Sequence, residues 1–218
     1  MLSMLMQARD DDGIGMSDEQ LRDEVMTISC RYETTANALS WTFYLLARHP
    51  EAEEKLADEL GRVLEGNAPA FHHFPHLHFT QSVIKESMRL YPPVWWISRE
   101  PKEDVWLDDY FLPAGCDIAL SQWVMHRRPE YFTEPASFIP DRWNRKFEES
   151  LPSYVYFPFG AGPRICIGNN FAMMEAVLLL AAIMQQFHFD LDISSSVVIE
   201  PSITLRPEQG IYVVINKR

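Results

Sequence analysis

From Met16 to His49 the chain contains neither proline nor glycine. Apolar residues recur through this run at Leu21, Val25, Ile28, Leu39, Phe43 and Leu46, at helical spacing. The run predicts a single helix of about thirty residues, roughly 45 Å long at 1.5 Å per residue. A helix of that length crosses a whole domain, so the rest of the chain has to be built around it. Its start is marked by Ser17-Asp18-Glu19-Gln20, the S-x-x-Q spacing of a capping box. Asn37, Ser40 and Thr42 lower its intrinsic propensity, so other elements must pack against it to hold it.

Pro50 suits the first position of a second helix, whose stripe is Leu56, Leu60, Val63 and Leu64 and which ends near Gly66. Residues 67–79 read as a loop. A third helix is expected over about Thr80–Leu90, stopped by Pro92 and Pro93. Short strands are expected at Val94–Ile97, Val105–Leu107 and Ile118–Leu120, with a turn at Pro113-Ala114-Gly115. Residues 127–164 carry many prolines and aromatic residues with little periodicity. So long an irregular stretch in a compact domain is usually functional. A fourth helix follows from about Gly168 to Phe187, then closing strands at 197–199, 203–205 and 211–215. The fold class is mainly α with small β-sheets (α+β). No internal repeat or low-complexity linker divides the chain.

At 218 residues, with 47% hydrophobic and 23% charged residues, the chain can bury a sizeable core. Its net charge of −12 argues against nucleic acid as a partner, because phosphate binding needs clustered Lys and Arg. Three cysteines, an odd number, rule out a fully paired disulfide framework and fit a reducing compartment. No apolar run is long enough to span a bilayer. Met1-Leu2-Ser3-Met4-Leu5-Met6 is apolar but lacks the basic region of a signal peptide.

The sharpest chemical feature is Phe159-Gly160-Ala161-Gly162-Pro163-Arg164-Ile165-Cys166-Ile167-Gly168. A cysteine stands in a glycine-rich loop just before a helix, whose N-terminus favours negative charge. The thiolate is the form of cysteine that ligates a metal. Gly160, Gly162 and Gly168 allow tight turning and close approach to a flat ligand. Arg164 is placed to pair with an anionic group on that ligand. On composition alone, a buried turn cysteine is as good a reading.

The spacing F-x-x-G-x-R-x-C-x-G resembles the heme-binding loop of the cytochrome P-450 family, the heme-thiolate monooxygenases. The resemblance implies that Cys166 is the axial thiolate on the iron, that Arg164 pairs with a heme propionate, and that Phe159 packs beside the sulfur. Gly168 belongs to the same cofactor-binding loop. Glu86-Ser87-Met88-Arg89 is an E-x-x-R whose i, i+3 spacing puts both side chains on one helix face. Phe138-Ile139-Pro140-Asp141-Arg142-Trp143 resembles the family's F-x-P-E-R-F, with Asp for Glu and Trp for Phe. In the family, Glu86, Arg89 and Arg142 would form a buried structural network rather than catalyse. On the long helix, Cys30-Arg31-Tyr32-Glu33-Thr34-Thr35 partly matches A-G-x-[DE]-T-[TS]. The resemblance gives Thr34 the role of the alcohol that helps deliver protons during oxygen activation, with Glu33 as its acidic neighbour. Cys30 and Arg31 replace small residues, and an Arg there would project a large cation toward the pocket or force the helix to rotate. Arg99, ten residues past Arg89, falls where the family often places a propionate-binding arginine. Pro92–Ile97, with Trp95 and Trp96, falls where the family lines its substrate pocket.

The resemblance covers essentially all of residues 1–218, but only about the second half of a cytochrome P-450 heme domain. It implies a truncated fold: long distal helix, E-x-x-R helix, meander, cysteine loop and proximal helix. It further implies heme b (iron protoporphyrin IX) as cofactor and a ferredoxin or flavin reductase as electron donor. The substrate would be an apolar small molecule and the location cytoplasmic. Two other readings stand beside the monooxygenase: a heme-binding protein without turnover, and a gene fragment unable to fold alone. The histidines of Phe71–His78 lack a companion Cys or acidic residue and read as a solvated loop rather than a metal site. Asp10-Asp11-Asp12 lacks calcium-loop spacing and reads as a solvated turn.

Overall fold

The computed structural model describes residues 2–29, 31–192 and 196–218, and of residues 27–29 and 31 the backbone alone. A short helix α1 (Leu2–Gln7) precedes α2 (Asp18–Ser29) and α3 (Arg31–Arg48). The capping box forms before α2. The Ser17 N–H donates to Gln20 Oε1 at 2.9 Å, and the Gln20 N–H donates to Ser17 Oγ at 3.2 Å. The run expected as one long helix is thus helical on both sides of residue 30. Cys30 itself and the Arg31 side chain lie outside the described residues.

The softening residues of α3 are each satisfied. Thr42 is fully buried and its hydroxyl donates to the Ala38 carbonyl at 2.7 Å, while Ser40 donates to Ala36 at 2.9 Å. Helix α4 (Pro50–Leu64) buries Ala52, Leu56, Leu60 and Leu64, a ladder at i, i+4 spacing. It ends on Glu65, which takes left-handed dihedrals, just before Gly66. Helix α5 (His78–Leu90) starts two residues earlier than the sequence predicts. The reason is tertiary: the buried Glu59 carboxylate of α4 accepts the Phe79 N–H at 2.7 Å, and the Thr80 N–H and hydroxyl at 2.8 and 2.7 Å. The first amides of α5 thereby find a negatively charged acceptor that its own turn cannot supply. Ahead of it, Phe71–His76 forms a 3-10 helix with His73 Nδ1 accepting the Ala70 N–H at 3.0 Å.

Among the described residues the strands form four antiparallel ribbons of two strands each. In the first, β1 (Ile97–Arg99) pairs with β4 (Ile118–Leu120), and in the second, β2 (Val105–Leu107) with β3 (Tyr110–Leu112). Val94–Trp96 is not a strand. The Trp95 carbonyl instead accepts the Trp123 N–H at 3.1 Å, which ties this segment to α6 (Gln122–Met125). The meander contains only α7 (Arg145–Ser150) and two 3-10 turns at Pro140–Arg142 and Gly162–Arg164. Helix α8 (Asn169–Met184) follows the cysteine loop, and β5 (Phe187–Leu191) pairs with β8 (Val213–Lys217). Between them, β6 (Ile199–Pro201) and β7 (Leu205–Pro207) make a hairpin.

One core joins α3, α4, α5 and α8, with Leu45, Leu46, Leu56, Leu60, Ile84, Met88, Val177 and Leu180 buried together. A second, smaller core under the meander holds Phe132, Trp143 and Val155. Helix α8 is predominantly apolar, with Glu175 its one charged residue. It buries Ala176, Val177, Leu180, Ala181 and Met184 while Phe171 and Leu179 remain exposed. A helix with so little polar surface is normally buried on most of its sides. Among the described residues no helix is long and apolar enough to cross a membrane.

Candidate functional site

Glu86 and Arg89 lie one turn apart on α5 and are both completely buried. Arg89 grips the carboxylate with two parallel bonds, Nη2 to Oε1 at 2.8 Å and Nε to Oε2 at 2.9 Å. Arg142, from the 3-10 turn after Ile139, adds Nε to Oε1 at 3.0 Å. The Ile139 N–H donates to Oε1 at 2.9 Å and the Trp143 indole N–H to Oε2 at 2.8 Å. The remaining guanidinium hydrogens of Arg89 go to the carbonyls of His126, Pro135 and Ser137 at 2.9, 2.7 and 2.9 Å. Arg142 Nη1 donates to the Thr133 carbonyl at 2.9 Å. Each charge taken out of water here is met by an opposite charge or a dipole, the condition under which a buried pair persists. Sequence spacing pairs Glu86 with Arg89, but it does not show that the indole of Trp143 completes the carboxylate. Asp141 stays outside the cluster and pairs with Lys55 at the surface.

The meander carries this cluster to the cysteine loop. Gly160 and Gly162 both sit at positive φ, +72° and +67°, where a side chain would be strained. Gly168 differs: its φ is −88° and it forms the cap of α8. A Cβ on Gly168 would lie 3.8 Å from the Cys166 sulfur, an ordinary contact distance, so the thiol rests against the start of α8. The Cys166 N–H donates to the Phe159 carbonyl at 2.9 Å, closing the loop on itself. The Phe159 ring packs on the main core, and what it gives Cys166 is a backbone acceptor. Cys166 is exposed, and its neighbours Ile165 and Ile167 are 50% and 96% exposed.

Arg164 in the same loop is exposed and has no carboxylate partner among the described residues. Arg99, on β1, is likewise exposed, and among the described residues its guanidinium donates to the carbonyl of Ser98 at 2.7 Å. Glu33 and Thr34 occupy the first turn of α3. Thr34 is half-buried, and the Glu33 carboxylate accepts the Thr204 hydroxyl at 2.8 Å. Asn37 donates to the same hydroxyl at 3.1 Å, and the Trp41 indole N–H donates to the Leu205 carbonyl at 3.0 Å. Glu33, Asn37 and Trp41 therefore form an i, i+4 ladder that staples α3 to the β6–β7 hairpin. Trp95 is tied to the hairpin tip through the Ser202 carbonyl at 2.8 Å, and Trp96 is exposed. Thr204 carries no local signal, since its partners lie about 170 positions away in the chain.

A flat apolar macrocycle bearing iron and carboxylates fits these residues. The loop offers one exposed sulfur, two exposed isoleucines beside it, and an exposed cation, Arg164, with no carboxylate partner among the described residues. Among the described residues no group of three or more His, Cys, Asp or Glu side chains is arranged to hold a bare metal ion.

The Cytochrome P450 family model matches residues 1–214. The chain is 45% identical over 184 residues to cyclooctatin synthase of Streptomyces melanosporofaciens, covering 84% of this chain and 40% of that protein. It is 36% identical over 208 residues to pentalenene oxygenase of Streptomyces avermitilis, covering 95% of this chain and 44% of that one. Human cytochrome P450 4V2 is 34% identical over 221 residues, covering 100% of this chain and 42% of the relative. The chain thus spans under half the length of these relatives, and it belongs to the cytochrome P450 family.

Proposed function

We propose that residues 1–218 form the C-terminal half of a cytochrome P450 heme domain and hold heme b through Cys166. The protein containing them inserts one atom of dioxygen into an apolar organic substrate. The observation that carries this reading is the exposed sulfur of Cys166, seated against the cap of α8 in a loop closed by the Cys166 N–H to Phe159 bond. Bound heme supplies the oxygen activation, with the thiolate tuning the iron. Arg164 and Arg99 meet the propionates as charge-assisted donors. Phe159 holds the loop backbone, and Gly168 keeps the space beside the sulfur open. Glu33 and Thr34 stand on α3 as the acid and alcohol that hold and pass protons, with Thr204 fixing the carboxylate. Glu86, Arg89 and Arg142 lock the meander and take no part in the chemistry. The exposed Trp96 and Ile203, on segments bonded to α3 or its neighbours, support an apolar substrate. Electrons come from a ferredoxin or a flavin reductase.

Hemin titration of the chain followed by reduction under carbon monoxide tests the assignment. The expected result is a thiolate-type difference band that Cys166→Ala abolishes. A Cys166→Ala protein that retained the band would overturn it.

A further inference from the structure

His126 follows α6 and is completely buried, yet neither its position nor its chemistry belongs to the motifs above. It faces two ways. Its backbone carbonyl accepts Arg89 Nη1 at 2.9 Å, which places it in the Glu86–Arg89–Arg142 cluster. Its ring Nε2 lies 3.0 Å from the Phe157 N–H. A backbone N–H can only donate, so Nε2 carries a lone pair and the imidazole is neutral with its proton on Nδ1. The ring packs against two aromatic rings, its centroid 5.0 Å from that of Tyr156 and 5.4 Å edge-on to Phe157.

Phe157 opens the turn that ends in the iron ligand. Its carbonyl accepts the Gly160 N–H at 3.0 Å, and two residues on, the Phe159 carbonyl accepts the Cys166 N–H at 2.9 Å. The amide of Phe157 has left regular structure, so it needs an acceptor from elsewhere in the fold. We infer that His126 is a positioning residue for Cys166: its neutral imidazole anchors the Phe157 amide and so sets the height of the cysteine loop on the buried ion-pair cluster. The surroundings favour the neutral ring, since burial and the Arg89 and Arg127 guanidinium groups push its pKa down to about 3. A cationic ring would turn a donor against the Phe157 N–H. The functional meaning of this anchor rests on the heme-thiolate reading, whereas the anchor itself does not.

Two substitutions separate anchoring from space filling. His126→Phe keeps a planar ring and removes the acceptor, while His126→Gln restores an acceptor on a flexible side chain. The first measurement is backbone amide exchange in the whole, heme-free chain, with α8 core amides as the internal reference. In His126→Phe the Phe157 and Cys166 amides are expected to exchange about tenfold faster relative to α8, the effect of losing one hydrogen bond of ordinary net strength. In His126→Gln both return toward wild type. Phe132→Leu loosens the same buried region without touching the bond and raises loop and α8 exchange in parallel. The second measurement is the thiolate-type carbon monoxide band after hemin loading, expected to shrink in His126→Phe and to recover in His126→Gln. Unchanged Cys166 exchange in His126→Phe, or a Gln variant no better than Phe, would overturn the inference. Wild-type chain that gave no thiolate band while the exchange pattern held would sink the heme reading and leave the anchor standing.

Discussion

The ion-pair cluster on α5 and the cysteine loop are joined by the meander, yet they are built on opposite principles. Around Glu86 every charge is out of water, and each carboxylate oxygen and guanidinium nitrogen of Glu86 and Arg89 has a partner within the fold. Around Cys166 the thiol, two isoleucines and an arginine are exposed, and the loop is tied down through its backbone and the Phe159 ring. The first region spends its hydrogen-bonding capacity on itself. The second leaves these side chains open to solvent. On the proposed function the loop receives a large flat group and leaves its own side chains unsatisfied beforehand, so its geometry is imposed from a neighbour. His126 and Phe157 are where that geometry crosses from one region to the other.

Substitutions ordered by expected effect on stability sharpen the contrast. Arg89→Met leaves the buried Glu86 with a single cationic partner and strips three carbonyls of their donor. It is expected to cost roughly 3–5 kcal/mol in urea unfolding. A loss below about 1 kcal/mol would show that the cluster is wetter than its burial implies.

The next largest effect is a pH dependence. His126 titrates at about 3 in the folded chain and near 6.5 when unfolded. The unfolded chain therefore binds the proton first. This group's contribution is intact above pH 6.5 and is lost as pH falls from 6.5 toward 3. Between pH 7 and 5 wild type should lose about 2 kcal/mol more than His126→Gln, which lacks the titration. Equal losses in the two proteins would show that the ring is charged or solvated in the native state.

Smaller still is Gly160→Ala, which forces a side chain to φ +72° and should cost about 1–2 kcal/mol while loosening only the loop. Cys166→Ala should change stability by less than about 0.5 kcal/mol in the heme-free chain, as expected of an exposed residue. If Cys166→Ala destabilised the heme-free chain as much as Arg89→Met, the division between a self-satisfied cluster and an open loop would fail.

Much of this architecture is legible in the residues. The S-x-x-Q box, the α4 stripe, the stop at Pro92 and Pro93 and the strands Val105–Leu107 and Ile118–Leu120 follow from local periodicity and turn chemistry. Local rules fail where the partner is distant. The early start of α5 depends on Glu59 from another helix. Val94–Trp96 has strand-like residues but bonds to α6 and the hairpin instead. Tyr110–Leu112 and Phe187–Leu191 become strands because Val105–Leu107 and Val213–Lys217 lie beside them.

The chemistry divides along the same line. Cysteine, arginine and glycine at fixed spacing announce the loop by themselves, because a short loop fixes the geometry of residues that are close in the chain. E-x-x-R announces a pair on one helix face for the same reason. That the pair is buried, that Trp143 and Arg142 complete it, that Thr204 holds Glu33, and that His126 carries the cluster's position to Cys166 were decided only by tertiary structure. Burial and long-range hydrogen bonds depend on which surfaces meet, and a local pattern of residues does not contain that information.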